Sequence, residues 1–102
     1  MKNKLSVVII CKNEERIIKR CLESVKWADE IVIVDSGSTD KTIDIVSEYT
    51  DKIFVNTDWQ GFGYQKKLAV RKATNDWILS LDSDEVVSEE LKAELLSHLD
   101  SL

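Results

Sequence analysis

The chain contains no proline, three glycines, two cysteines and a single histidine, and each scarcity excludes something. Without proline, and with no Gly/Ser stretch, there is no stiff or flexible linker at which to draw a domain boundary. Neither the GxGxxG dinucleotide fingerprint nor a P-loop is present, and the lone Gly61-Phe62-Gly63 reads as a flexible loop. One histidine leaves no partner for a nucleophilic triad, and His98 falls late in a helical segment, where it reads as a surface residue. Cys11 and Cys21 stand ten residues apart, which matches neither a CxxC redox pair nor a zinc-ligand pair. They read as reduced thiols, with Cys21 on the buried face of a helix. No apolar run approaches the roughly 20 residues that span a bilayer. The strand-like run after Met1-Lys2-Asn3-Lys4 is also too short for a secretory signal, so a soluble, cytoplasmic chain is the expectation. Positive charge is the minority: 14 Lys and Arg against 19 Asp and Glu give a net charge of -5, and the pI is about 4.8. That balance argues against nucleic acid as a partner, because phosphate backbones require clustered cations. Any phosphate bound here must be met through a bridging cation or a local lysine.

What the chain does have is the size and composition of one globular domain: 102 residues, 43% hydrophobic and 32% charged. Four apolar runs rich in Val and Ile read as strands: Leu5 to Ile10, Glu30 to Val34, Lys52 to Val55, and Trp77 to Leu81. Their near-continuous hydrophobicity suits parallel strands covered on both faces. Helical spacing separates them. Ile17, Ile18, Cys21, Leu22 and Val25 form one stripe, with Asn13 as its expected N-cap and Glu14 and Glu15 in the first turn. Ile43, Val46 and Tyr49 form a second stripe after Ser38-Thr39-Asp40. A third helix is expected from about Tyr64 to Ala73, burying Leu68 and Ala69, and a fourth from Ser88 with Leu91, Leu95 and Leu99 on one face. Trp27, Trp59 and Trp77 read as core or rim aromatics. Alternating strands and helices predict an α/β fold, a Rossmann-like parallel sheet of about four strands in the order 3-2-1-4. Such a sheet reverses between its first and fourth strands, and ligands bind in the crevice beyond their carboxyl ends. Cys11 to Glu14 would then lie beside Asp82 to Glu85.

The densest chemical signal is Asp82-Ser83-Asp84-Glu85, three carboxylates in four residues directly after an apolar strand. Crowded carboxylates repel one another, and a hard divalent cation, Mg²⁺ or Mn²⁺, relieves the repulsion. Mg²⁺ takes one or two protein carboxylates and completes its shell with water and phosphate oxygens, a demand that Asp82 and Asp84 can meet. An acidic loop that merely caps the next helix is the plainer alternative. An EF-hand is excluded because Val86 and Val87 stand where it needs an oxygen ligand and a glycine. A phosphotransferase with a strand-end Asp nucleophile remains open.

A second cluster, Asp35-Ser36-Gly37-Ser38-Thr39-Asp40, also ends a strand and opens a helix. Gly37 suits a tight turn, and Asp35 and Ser36 would face the crevice to hydrogen-bond a base or ribose. Ser38, Thr39 and Asp40 read equally well as capping residues. Lys66 and Lys67 open the third helix, where the helix dipole disfavours cations, so a nearby diphosphate would explain them. A solvated basic face continuing through Arg71 and Lys72 explains them as well.

Taken together, Val7 to Glu14, Ile33 to Thr42 and Trp77 to Glu85 resemble the inverting glycosyltransferase family 2, of the GT-A fold, over about Leu5 to Leu95. The segment Gly61 to Lys67 is similar to the branch that includes lipopolysaccharide-core glucosyltransferases. The resemblance implies a nucleotide-diphosphate sugar in the crevice, contacted by Cys11, Lys12, Asn13, Glu14, Asp35, Ser36, Lys66 and Asp82. Asp35 would lie near the base and Lys66 near the diphosphate. It implies Mg²⁺ or Mn²⁺ held chiefly by Asp84, with Asp82 toward the ribose or metal. It further implies transfer by a single displacement in cell-envelope glycan or lipopolysaccharide synthesis, and peripheral association of the whole enzyme with the inner face of the cell membrane. The chain departs from the family at Lys12, where many members carry an aromatic residue, and at Ser36, where many carry a second Asp. Residues 1–102 are expected to be the donor-binding portion, with the acceptor-binding part and its general base absent and little or no activity alone. The non-enzyme alternative is a nucleotide-sugar-binding or interaction module. An unpaired fourth-strand edge in such a fragment would favour a homo-oligomer.

Overall fold

The computed structural model describes residues 3–101; Met1, Lys2 and Leu102, the outermost residues of the expected domain, lie outside them. Every residue of β1 (Leu5–Cys11) is buried, which the run LSVVIIC permits because it is apolar on both faces apart from Ser6. The next apolar run forms β2 (Glu30–Asp35), also buried throughout, followed by the short β3 (Ile53–Val55) and then β4 (Trp77–Asp82). All pairings are parallel, and the order is β3-β2-β1-β4, as the alternation of strands and helices predicts. Register aligns the strand ends: Cys11 pairs with Asp35 and Ile10 with Asp82.

Successive side chains of a strand point to opposite faces, so β1 feeds two cores. Leu5, Val7, Ile9 and Cys11 pack on one side with Ile18, Cys21, Leu22 and Val25 of α1 (Ile18–Val25), Val46 of α2 (Thr42–Val46) and Leu99 of α4 (Glu89–Ser101). Val8 and Ile10 pack on the other side with Val32, Val34 and Ala69 of α3 (Phe62–Lys72). The strand β4 is the thinly covered edge: Leu81 is buried, while Trp77 and Ile78 are 41% and 37% exposed. Among the described residues no helix is long and apolar enough to cross a membrane.

Several local expectations need correction. The first helix starts at Ile18, not after Asn13, which takes a left-handed φ of 52° and puts its side chain elsewhere; Ile17 stays exposed and no acid enters the first turn. The second helix is a single short segment ending before Tyr49, and it buries Thr42 and Val46. The third begins earlier than expected, at Phe62, so Phe62 and Gly63 are helical and only Gly61, at φ 97°, belongs to the turn. Gln65 and Ala69 are its buried residues, with Leu68 only partly so. In α4 the Ser88 Oγ accepts the Leu91 N–H at 3.1 Å as an N-cap, but of the Leu91, Leu95 and Leu99 stripe only Leu99 is buried.

One buried charge ties the amino-terminal ends of the strands together. The Glu30 carboxylate accepts the Ser6 hydroxyl at 2.6 Å, the Thr74 N–H and hydroxyl at 2.8 Å each, and the Lys52 ammonium. Burial pushes its carboxyl up, but the Lys52, Ser6 and Thr74 donors outweigh that and hold it at about 2. Because the folded value is depressed, the stabilisation is full at neutral pH and is lost as pH falls from about 4.5 toward about 2. Replacing Glu30 with Ala leaves buried donors unpaired, while Lys52 can return to water, so a cost of about 2 kcal/mol is expected. Urea unfolding at pH 7 checks that cost. The same series at pH 3 should show a smaller gap between the variant and the parent.

Candidate functional site

The carboxyl ends of β1 and β2 are joined by loops whose polar side chains bond across the gap. Asp35 is fully buried; its Oδ2 accepts the N–H groups of Gly37 and Ser38 at 2.8 and 2.7 Å, and its Oδ1 accepts the Ser38 hydroxyl and the Cys11 thiol. Asn13 Oδ1 accepts the N–H groups of Thr39 and Asp40 at 2.8 and 3.3 Å, while the Asn13 N–H donates to Ser38 Oγ at 2.8 Å. The Glu14 N–H donates to Thr42 Oγ1 at 2.8 Å. These reciprocal bonds make a double wall, and they explain the left-handed Asn13, since Asn tolerates that conformation and here gains two partners by adopting it.

That wall borders a cleft of about 760 Å³, the size of a small-molecule site, lying over the β1/β4 switch point. Cys11, Lys12, Glu14, Ser36, Lys66, Asp82 and Asp84 line it, which brings seven of the nine expected site residues together. Asn13 and Asp35 do not line it. Their oxygens are committed to holding the loops, so Asp35 shapes the cleft from beneath and presents no carboxylate to a ligand. Ile10, Ile17, Thr57, Trp59, Phe62 and Ser83 complete the lining. Sequence reasoning missed these residues. Trp59 read only as a core or rim aromatic and Phe62 as part of a flexible loop, and nothing in the sequence marked Thr57. Gln65 was missed too: fully buried on α3, it donates to Ser36 Oγ at 2.9 Å and accepts from Asn56 Nδ2 at 3.0 Å, fixing a lining hydroxyl.

At the β4 end, Lys66 Nζ lies 3.3 Å from Asp82 Oδ1, with both groups half exposed to the cleft. The Asp82 N–H donates to Glu85 Oε1 at 2.7 Å and the Glu85 N–H returns to the Asp82 carbonyl at 3.0 Å, so Glu85 closes the turn and is not among the cleft-lining residues. Among the described residues no group of three or more His, Cys, Asp or Glu side chains forms a cage for a metal ion. The pair Asp82 and Asp84 instead offers what Mg²⁺ or Mn²⁺ takes from proteins when a phosphate supplies the remaining oxygens. Burial, then the Asp35 charge and hydrogen bond, push the Cys11 thiol far up, and burial with Glu85, Asp84 and Asp82 pushes Cys21 up to about 11, which favours the thiol over the thiolate at both.

A four-stranded parallel sheet in this order with flanking helices is the architecture of the amino-terminal half of a GT-A glycosyltransferase fold. The chain belongs to Glycosyl transferase family 2, whose sequence profile matches residues 6–102. It is 46% identical over 93 residues to an uncharacterised glycosyltransferase of Rickettsia bellii, covering 90% of this chain and 31% of that one. It is 41% identical over 99 residues to the lipopolysaccharide core biosynthesis glycosyltransferase LpsC of Rhizobium meliloti, covering 93% of this chain and 36% of the relative. Among solved structures, S. aureus TarS 1-349 in complex with UDP superposes with a TM-score of 0.77 at 28% identity, covering 96% of this chain and 32% of TarS 1-349. The chain thus spans about a third of the length of these relatives.

The wall depends on Gly37, whose φ of 106° suits glycine and where an added Cβ would lie 3.0 Å from Thr57 Cγ2. Gly37→Ala is expected to cost about 1 to 3 kcal/mol. Thermal unfolding of the variant and of Gly37→Ala with Thr57→Ser checks this: the second change removes the methyl and should recover only the steric part.

Proposed function

We propose that this chain supplies the donor site of an inverting, metal-dependent glycosyltransferase that uses a nucleotide-diphosphate sugar in cell-envelope glycan synthesis. The observation that carries the proposal is the Lys66, Asp82 and Asp84 constellation at the β1/β4 switch point, an amine and two carboxylates on one cleft. LpsC, a relative named for lipopolysaccharide core biosynthesis, and TarS, solved with UDP, support the pathway and the ligand class. A strand-end phosphotransferase built on the Asp82 and Asp84 pair is disfavoured by the family.

In this reading Asp84 and Asp82 hold the cation, which when bound stabilises negative charge on the departing diphosphate. Lys66 donates to phosphate oxygens, and its Coulomb attraction to Asp82 keeps the ammonium in place before a donor arrives. Ser36, oriented by Gln65, offers a hydroxyl toward the ribose. In this reading a carboxylate outside the Lys66, Asp82 and Asp84 constellation takes the proton from the acceptor hydroxyl.

Titration calorimetry with UDP, GDP, CDP and ADP tests the assignment. At least one should bind in the presence of Mn²⁺ or Mg²⁺ and lose about tenfold or more with excess chelator or in Asp84→Asn. Equal affinity with and without the cation would overturn the metal role.

A further inference from the structure

Two exposed aromatic side chains at the mouth of the cleft are not used by the chemistry described so far. Trp59 is 48% exposed and Phe62 is 69% exposed, and neither belongs to a core cluster. Their rings meet edge to face, 4.9 Å between centroids at 89°, so each restricts the other in front of the cleft they both line. Apolar rings held open to water beside a polar cleft lose hydrophobic stabilisation that a flat ligand would restore.

Their place in the sheet says which part of a donor they would meet. Asp82 and Asp84 follow β4, Cys11 and Lys12 end β1, Ser36 ends β2, and Thr57 and Trp59 follow β3. From β4 to β3 is roughly 14 Å across the sheet. Lys66 and Asp82 give the cleft its charged pair, and the Ser36 and Thr57 hydroxyls and the two rings line the same cleft. Charge, hydroxyl and aromatic surface are the three chemistries that diphosphate, ribose and base require. The transferred sugar leaves the diphosphate on the side away from the ribose, and so away from Trp59. Lys12, on the β1 side of the cleft, carries no ring, so that wall offers no flat surface of its own.

We propose that Trp59 and Phe62 form the platform on which the donor's nucleobase stacks, Trp59 supplying the face and Phe62 bracing it from the first turn of α3. This rests on the donor reading above. Every base has a π-face, so the platform confers affinity without choosing among bases. Phe62 stands four residues before Lys66 on the same helical face, so stacking and phosphate contact are carried by one rigid element.

The test compares nucleoside diphosphates with inorganic pyrophosphate, a probe without a base, by calorimetry in Mn²⁺ on the parent chain and on Trp59→Ala, Trp59→Phe and Phe62→Leu. Both positions are exposed, and an unchanged thermal midpoint verifies that each variant keeps the fold. The expected result is a loss of about 10- to 100-fold for every nucleoside diphosphate that the parent binds in Trp59→Ala. A smaller loss is expected in Phe62→Leu, most of the affinity should be kept in Trp59→Phe, and pyrophosphate should bind all four alike. If nucleoside diphosphates bind the parent and Trp59→Ala equally, the platform is wrong and the donor reading stands. An equal loss of pyrophosphate would show that Trp59 only shapes the cleft, which also overturns stacking. If the parent binds no nucleoside diphosphate at all, both this proposal and the donor reading fail.

Discussion

Strand β1 must bury both faces and pair along both edges, and the geometry of the cleft follows from that requirement. Its alternate residues supply two separate cores, so α1, α2 and α4 gather on one side of the sheet and α3 on the other. Parallel pairing with β2 and β4 brings three strand ends to one level, where Cys11 stands beside Asp35 and Ile10 beside Asp82. The crossover from β1 through α1 covers one face of the sheet and that from β3 through α3 the other, the strand order reverses at β1, and the cleft lies above that point. Polar chemistry therefore collects at one end of a strand whose body is almost entirely apolar.

The two ends of the sheet handle buried polarity differently. At the amino-terminal end Glu30 is surrounded by Ser6, Lys52 and Thr74, none of which lines the cleft. At the carboxyl end Asp35 is equally buried and satisfied, but its partners are the loop N–H groups that hold the cleft open. Satisfied buried carboxylates thus act as fasteners at both ends. The carboxylates left exposed, Asp82 and Asp84, retain lone pairs for a ligand, and the like charges concentrated there make a cation or the Lys66 ammonium favourable company.

Much of this was legible in residue patterns. The four strands, their parallel order and the meeting of the Cys11 to Glu14 and Asp82 to Asp84 segments followed from apolar runs and crossover rules, because burial on both faces leaves few arrangements for such strands. Helix boundaries were less legible. Asn13 has the right chemistry for an N-cap, yet its oxygen finds stronger use in the loop after β2, a partner 26 residues away that local spacing does not reveal.

The sequence by itself determined the fold class, the family and the end of the sheet where acidic chemistry collects, since those depend on hydrophobic periodicity and on residues adjacent in the chain. Only the tertiary structure decided the allocation of roles within the site. It buried Asp35 beneath the cleft and turned Glu85 back onto the Asp82 N–H. It also brought Gln65 under Ser36 and put Trp59 and Phe62 at the mouth. Whether a side chain is spent on the scaffold or left for a ligand depends on which hydrogen-bond partners reach it, and most of those partners come from distant segments that packing alone brings near.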